Sequence, residues 1–408
     1  MSQMAENFGP QGLLIVGNLP FLDPQLHSHF ANLAKMYGPI LSLLLGGKIS
    51  IVISSTDMAH ELLKENDVIF ANRDVPTVVT VMEYGGHDIV FTLYRPKWRM
   101  LKKCMRDMLG HTTFDAFYSY RKQEIRNTIK YLNDLKGSPV NVDGNEKASI
   151  GAKFRQMLVE ITDLMGKRNI SNFFPSLYWL DLQGMKKQMK GTIVKLVRIV
   201  EFDRESKDFL QVLLQLRTGG ATKTPLTMNH IKVLLVVCMV VGGTDKTSTM
   251  VEFAMAKMMY KPQVMIKAQQ ELDTVIGRDS LAEESYKGKL PYLKAIMKEV
   301  LWLHPVLPLM NRVPKGARMF VNVWAIHRDP AIWKHSMEFI LERFLIDKED
   351  HSGNDFSYLP FGSGRRSCAG LAMAKRIVML SLALLVHCFD WKLPTGRKKM
   401  PLVAVPMP

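Results

Sequence analysis

The ten residues Phe361-Gly362-Ser363-Gly364-Arg365-Arg366-Ser367-Cys368-Ala369-Gly370 constrain this chain more than any other stretch. They form a glycine-bearing loop that delivers one cysteine to the start of an apolar helix, predicted from Leu371 to about Phe389 by apolar residues at helical spacing. A thiol at that position feels the positive end of the backbone dipole, and Arg365 and Arg366 add positive potential. Both effects favour the thiolate, the form that binds metal. Gly362 and Gly364 let the backbone approach a bulky planar group closely and aim its N–H groups at the sulfur. Spacing alone also allows a buried free cysteine at a helix start.

The longest predicted helix starts at Thr224–Thr227 and runs to about Tyr260, before Pro262 ends it. Its centre, Val240-Val241-Gly242-Gly243-Thr244-Asp245-Lys246-Thr247-Ser248, is apolar except for one compact polar cluster. In a helix that is apolar nearly all round, such a cluster should face a cavity rather than a packed neighbour. A phosphate-binding loop is excluded, because Asp245 stands where a glycine must precede the lysine. The four cysteines (Cys104, Cys238, Cys368, Cys388) form no C-x-x-C pair and no disulfide framework, which fits free thiols in a reducing compartment and offers no structural zinc site.

The hydrophobic and charged fractions of the 408 residues, 47% and 23%, are those of a globular protein. The net charge of +16 is spread along the chain with no nucleic-acid motif beside it. An anionic membrane surface or an acidic protein partner fits it equally. No stretch reaches the roughly 20 apolar residues that cross a bilayer, Val233–Gly243 and Ile377–Cys388 being too short. The first residues carry no signal-peptide pattern.

Phe361, Gly364, Arg366, Cys368 and Gly370 stand at the spacing F-x-x-G-x-R-x-C-x-G, which resembles the haem-ligand loop of the cytochrome P450 family. The resemblance implies a mainly α fold with a small β region, an incomplete version of the P450 fold, as one haem domain over 1–408. It implies haem b with Cys368 as the iron ligand, Arg366 on a propionate, Phe361 over the proximal face, and Gly364 and Gly370 in the cofactor loop. Trp98-Arg99 resembles the family's W-R pair, whose members bond the propionates, and Arg312 is a further propionate candidate. The centre of the long helix resembles the oxygen-activating segment: Gly242 and Gly243 leave room for dioxygen and Asp245 relays protons. The family's threonine after the acid is here Lys246, so Thr247 would partly replace its hydroxyl. The implied reaction is monooxygenation of an apolar plant small molecule of flavonoid or terpenoid type. It uses O₂ and electrons from NADPH through a cytochrome P450 reductase, for which Lys97, Arg99, Lys102, Lys103 and Arg106 are a candidate docking face.

Two departures carry a physical cost. A lysine in a dry distal pocket costs several kcal/mol unless paired, and Asp245, on an adjacent helix position, is a poor partner for it. The segment Lys298–Pro305 resembles the family's E-x-x-R helix, but Trp302 stands where the arginine should pair with Glu299. Losing one member of such a buried pair costs about 3–5 kcal/mol, so poor haem retention is expected. Leu341-Glu342-Arg343-Phe344 resembles the P-E-R-F segment, whose Arg343 could still hold Glu299. These departures leave open a haem-binding member without oxygenase activity, or a remnant that binds no haem.

Tyr84-Gly85-Gly86, the segment Phe320–Pro330 and Ser352–Phe356 resemble the plant microsomal branch that includes flavonoid 3′-hydroxylase-like enzymes. Residues 1–25 resemble the Pro/Gly hinge that follows its membrane anchor, so the chain is expected to start at that hinge. The branch implies the cytosolic face of the endoplasmic reticulum; a chain without the anchor could be cytosolic or peripheral. Lys186, Lys187, Lys190 and Lys195 lie on an amphipathic stretch, either a solvated face or a contact with a membrane surface. Three joins read as shortened, near 145–151, 308–316 and 396–401.

Overall fold

The computed structural model describes residues 9–82, 87–138, 140–141, 149–201, 209–219, 225–278, 280–314, 317–346, 353–392 and 403–407. Tyr84-Gly85-Gly86, Ser352, residues 145–148 of the first join and the join at 396–401 lie outside them. After helix α1 (Leu26–Tyr37), Ile40–Leu45 (β1) and Lys48–Ile53 (β2) form the hairpin that their leucine-rich and β-branched runs predict, with Ile40 opposite Ile53. Gly46 makes the turn at φ +61°, a conformation closed to most L residues. Ser55 then caps α2 (Thr56–His60), its hydroxyl accepting from the Met58 N–H.

β2 continues the sheet in parallel with β4 (Arg318–Asn322), which pairs antiparallel with β3 (Leu309–Arg312), giving the order β1-β2-β4-β3. Five residues of sequence, 313–317, separate β3 from β4. Strand β4 stops at Asn322, whose side chain accepts from the Ala325 N–H and starts a helical turn at Val323–Ile326. Between α2 and the second sheet, two helices, His111–Ala116 and Tyr118–Asp134, meet at a break at Phe117. A second small sheet pairs Val403–Met407 with Asp390–Lys392 and Val140–Asn141.

The largest core is helical. It is built from α5 (Met228–Tyr260), α6 (Pro262–Ile276), α7 (Pro291–Leu303) and α8 (Leu371–Cys388), with Trp302 and Tyr358 fully buried among them. Helices α3 (Pro96–Met108) and α4 (Met185–Glu201) pack two further clusters against α5. Contrary to the expectation from apolar runs, α5 and α8 are each long and apolar enough to cross a membrane by length and composition. Both are core helices that pack on each other. Within α5, residues Leu234–Val241 open into π-helical turns before α-helical geometry resumes at Gly242.

Candidate active site

Between α5 and α8 lies a cavity of about 360 Å³. One wall is the loop 359–370 with the start of α8, including Phe361, Arg366, Cys368, Gly370 and Met373. The long helix α5 supplies Val237, Cys238, Met239, Gly242, Gly243, Lys246, Thr247 and Met250, and the remaining wall includes Trp98, Lys102, Leu301, Val306 and Leu307. The cysteine loop and the glycine-bearing helix centre, 120 residues apart in sequence, therefore share one space.

The loop is held by its backbone. Gly362 and Gly364 sit at φ +70° and +68°. A Cβ on Gly364 would lie 2.2 Å from the Leu63 carbonyl oxygen, so this glycine sets the approach of the loop to the end of the helical turn at Glu61–Glu65 and does not itself line the cavity. Gly370, at the head of α8, does line it, next to the Cys368 sulfur. The Cys368 N–H donates to the Phe361 carbonyl at 3.0 Å, closing the loop.

Cys368 is accessible only because it borders the cavity; protein surrounds it otherwise. Burial pushes its thiol pKa up, opposed by the Gly370 N–H, Lys102 and Arg73. The dipole and the cations thus act in the direction expected from sequence, but desolvation outweighs them. A bound metal ion reverses that balance, because a coordinating thiol is deprotonated outright.

The cations around the loop divide into two groups. Arg366 gives four of its five donors to backbone: Nε to Ala71 O, Nη1 to Ile89 O and Val90 O, and Nη2 to Thr92 O, with Trp98 beneath the guanidinium at 4.6 Å. It knits residues 71–92 to the cysteine loop, and it also lines the cavity with one Nη2 donor to spare. Arg312 is the converse. It is 3% exposed, with Nε and Nη1 lacking a partner among the described residues, and burial beside Arg73 and Arg366 lowers its pKa to about 9. Buried guanidinium donors with nothing to bond fit a group that brings anionic oxygens to this place, as the carboxylates of a haem do. Arg73 and Lys102 line the cavity beside them, and Lys102 Nζ donates to Ser367 O at 2.7 Å.

Of the W-R pair, only the tryptophan reaches the cavity. Trp98 is buried, its indole N–H donating to Ile89 O at 2.9 Å. Arg99 is exposed, stacked on Tyr94 at 5.2 Å. Neighbours on a helix point about 100° apart, so the residue that shares the face of Trp98 is Lys102, one turn on. The signal was present in the sequence as a basic residue at i+4.

On α5, Thr247 Oγ1 donates to Gly243 O at 2.6 Å, and both residues line the cavity. Asp245 does not line it; its Oδ2 accepts from Lys246 Nζ at 2.9 Å. The expectation that Asp245 is a poor partner for Lys246 is corrected here: the long lysine side chain reaches its neighbour's carboxylate. Lys246 is also 47% exposed, so it pays little of the desolvation cost expected of it.

At the E-x-x-R segment, Glu299 is fully buried. Its Oε1 accepts from Ile340 N at 2.7 Å and lies 3.5 Å from Arg343 Nε. Arg343 spends its Nη donors on the carbonyls of Lys334, His335 and Glu338 and rests on the Trp302 ring at 4.4 Å. Burial pushes the Glu299 pKa up to about 7 despite the Ile340 N–H and Arg343. The carboxyl is thus partly protonated near neutral pH and has Arg343 beside its charged form, which blunts the expected penalty of Trp302. Sequence reading also passed over His327. It is fully buried, with Nε2 accepting from Leu359 N at 2.9 Å, so Nδ1 carries the proton and donates to Trp302 O at 3.0 Å. It ties α7 to the segment that opens the cysteine loop.

A zebra fish cytochrome P450 structure with progesterone superposes on 95% of this chain and 100% of its own, with a TM-score of 0.79 at 22% identity. Flavonoid 3′-monooxygenases of Crocosmia x crocosmiiflora and Petunia hybrida are 35% and 36% identical over 96% and 95% of this chain and 87% and 86% of their own lengths. A flavonoid 3′,5′-hydroxylase of Solanum melongena is 36% identical over 95% and 85%. The Crocosmia match spans 441 positions, whereas 96% of 408 residues is about 392, so the relative holds roughly 50 residues opposite gaps in this chain. The family model for cytochrome P450 matches in two pieces, residues 8–150 and 147–405, which meet at the first of the joins that read as shortened. Family and fold together imply haem b, with electrons from NADPH through a reductase. Matched over nearly its whole length, this chain belongs to the cytochrome P450 family, the haem-thiolate monooxygenases.

Proposed function

We propose that the chain hydroxylates an apolar plant small molecule, of flavonoid or terpenoid type, in the cavity between α5 and α8. The observation that carries this reading is the meeting in one space of Cys368, the glycine pair of α5 and the cations Arg73 and Lys102, with the unpartnered donors of Arg312 close to Arg73 and Arg366 but outside that lining. Cys368 would hold the haem iron, and Arg312, Arg73 and Lys102 would hold its propionates. Arg366, with four of its donors, and Trp98 would position the loop. The haem, when bound, supplies oxygen activation. The protein's own part is to keep the site dry with Val237, Met250, Leu301 and Val306, and to leave space at Gly242 and Gly243. Thr247 holds a hydroxyl on the Gly243 carbonyl at the cavity wall, and Asp245 feeds protons from outside it.

The exposed cations of α3, Arg99, Lys103 and Arg106, form the face on which an acidic reductase would dock. A peripheral membrane contact is supported at the tip of the first sheet. There Gly46 N–H bonds Val16 O and Gly47 N–H bonds Phe173 O, gathering exposed Leu14, Ile15 and Trp179 near the lysines of α4. The cytosolic face of the endoplasmic reticulum is the membrane that this reading names.

The reduced protein with carbon monoxide tests the assignment: a thiolate-type Soret band is expected, and its absence would overturn it. With reductase and a flavanone, product should form as NADPH is consumed. The lysine at position 246 favours a second reading, in which oxygen activation is uncoupled. Lys246→Thr should then raise the product formed per NADPH.

A further inference from the structure

We infer that Asp88 is the buried counter-charge of the cations beside the cysteine loop, and that through Arg73 and Arg366 it holds down the reduction potential of the haem. The inference goes beyond the reading above but rests on its placing the haem in the cavity between α5 and α8. Asp88 is fully buried and takes no part in the chemistry derived so far. Its Oδ1 closes the turn 88–92, accepting from Phe91 N at 2.8 Å and Thr92 N at 3.0 Å. Arg366 grips the same turn by its carbonyls, with Nη1 on Ile89 O at 2.9 Å and Nη2 on Thr92 O. Ile89 and Val90 line the cavity, while Asp88 stays behind that wall.

The turn uses only one carboxyl oxygen. An asparagine would cap Phe91 N and Thr92 N as well, without a charge to bury. Yet Oδ2 is buried with no hydrogen-bond partner among the described residues, an arrangement that is costly unless opposite charge stands near. That charge is present. Burial pushes the Asp88 carboxyl up, while the two N–H groups, Arg73 and Arg366 pull it down. Arg73 feels both Asp88 and Cys368, lines the cavity, and donates from Nη2 to Arg366 O at 3.4 Å. Asp67, a further carboxylate near the loop, is already paired with the exposed Arg365 at 2.9 Å. Asp88 therefore offsets the two arginines from behind. The step it acts on is the transfer of one electron from the reductase to the ferric centre, with no proton moved at Asp88. Added electron density is favoured by the arginines and disfavoured by a carboxylate that weakens their field. Asp88 is thus a positioning residue that touches neither haem nor substrate.

Spectroelectrochemical titration of the full-length, haem-loaded, substrate-free protein tests this. Asp88→Asn keeps an oxygen for both N–H groups and removes the charge. It should favour the reduced state about tenfold, the order expected of one buried charge at an effective dielectric of about 20, which raises the midpoint by about 59 mV for one electron. Haem content and the carbon monoxide band should match the wild type. Asp88→Ser, which caps through a hydroxyl, should show the same rise. In an Arg73→Gln background the rise from Asp88→Asn should shrink, because the charge acts through that arginine. An unchanged or lowered midpoint in the Asn and Ser variants, or a rise that is full-sized without Arg73, would overturn the inference. A wild type without the thiolate band sinks the monooxygenase reading; a wild type with that band and a potential indifferent to Asp88 sinks this inference alone.

Discussion

Glu299 makes the stability of this protein depend on pH in an unusual direction. Its carboxyl is fully buried, one oxygen lacks a partner among the described residues, and the i+3 position that should supply a cation is Trp302. Its pKa of about 7 in the fold lies above the ordinary glutamate value of 4.5. A carboxyl raised on folding favours the fold most below its unfolded pKa, and that contribution is lost as pH rises through the folded one. The gap corresponds to about 3 kcal/mol at 1.36 kcal/mol for each tenfold change in proton concentration. Glu299→Gln keeps an acceptor for the Ile340 N–H and removes the proton. Denaturant unfolding near pH 5 and near pH 8.5 should show the variant gaining about 3 kcal/mol on the wild type between the two conditions. If the difference between the two proteins is the same at both pH values, Glu299 is not held neutral and the reasoning fails.

Trp302→Arg should abolish the same loss of stability through pH 7, because a guanidinium at i+3 holds the carboxylate charged; the same unfolding experiment reads it. Opening the contact with Trp333 should cost about 3–5 kcal/mol, which the new ion pair offsets in part. His327, lowered by burial to a pKa of about 3, contributes stability present above about 6.5 and lost as pH falls below it. Replacing it with leucine should cost about 1–3 kcal/mol at neutral pH by orphaning Leu359 N–H and Trp302 O, and should flatten stability between about pH 6.5 and 4. Gly364→Ala drives a methyl into the Leu63 carbonyl at a positive φ. It should lower the haem content of purified protein, measured as Soret absorbance per chain.

What the sequence made legible was local. The hairpin at Gly46-Gly47, the Ser55 cap, the helix after Gly370 and the helix notched at Gly242-Gly243 each follow from a few neighbouring residues. The spacing around Cys368 named the family because five positions carry it. Arg73 and Lys102 went unseen as cavity residues because folding, not proximity in the chain, brings residues 71–92 and α3 to the loop. Arg366 was assigned to an anion because its motif suggests one; that four of its five donors end on carbonyls is a tertiary fact. The thiol of Cys368 was read from the dipole and the cations, which are visible in a sequence, while the desolvation that outweighs them is not. The Lys246–Asp245 pair was missed for a related reason: helix geometry compares Cα directions, and a long side chain can ignore them.

The π-helical turns at Leu234–Val241 fix which α5 side chains reach the cavity by counting residues rather than by choosing them. A helix advances about 100° per residue, and a π turn is an α turn carrying one surplus residue. Relaxing this run to ordinary α geometry with every residue kept would swing everything after it by roughly that angle. Gly243, Lys246 and Thr247 would then rotate out of the chamber together, with their own codons untouched. The chemistry of the helix is thus hostage to the winding of a stretch of plain aliphatic residues, where one residue taken up in a wider turn sets which side chains the cavity sees.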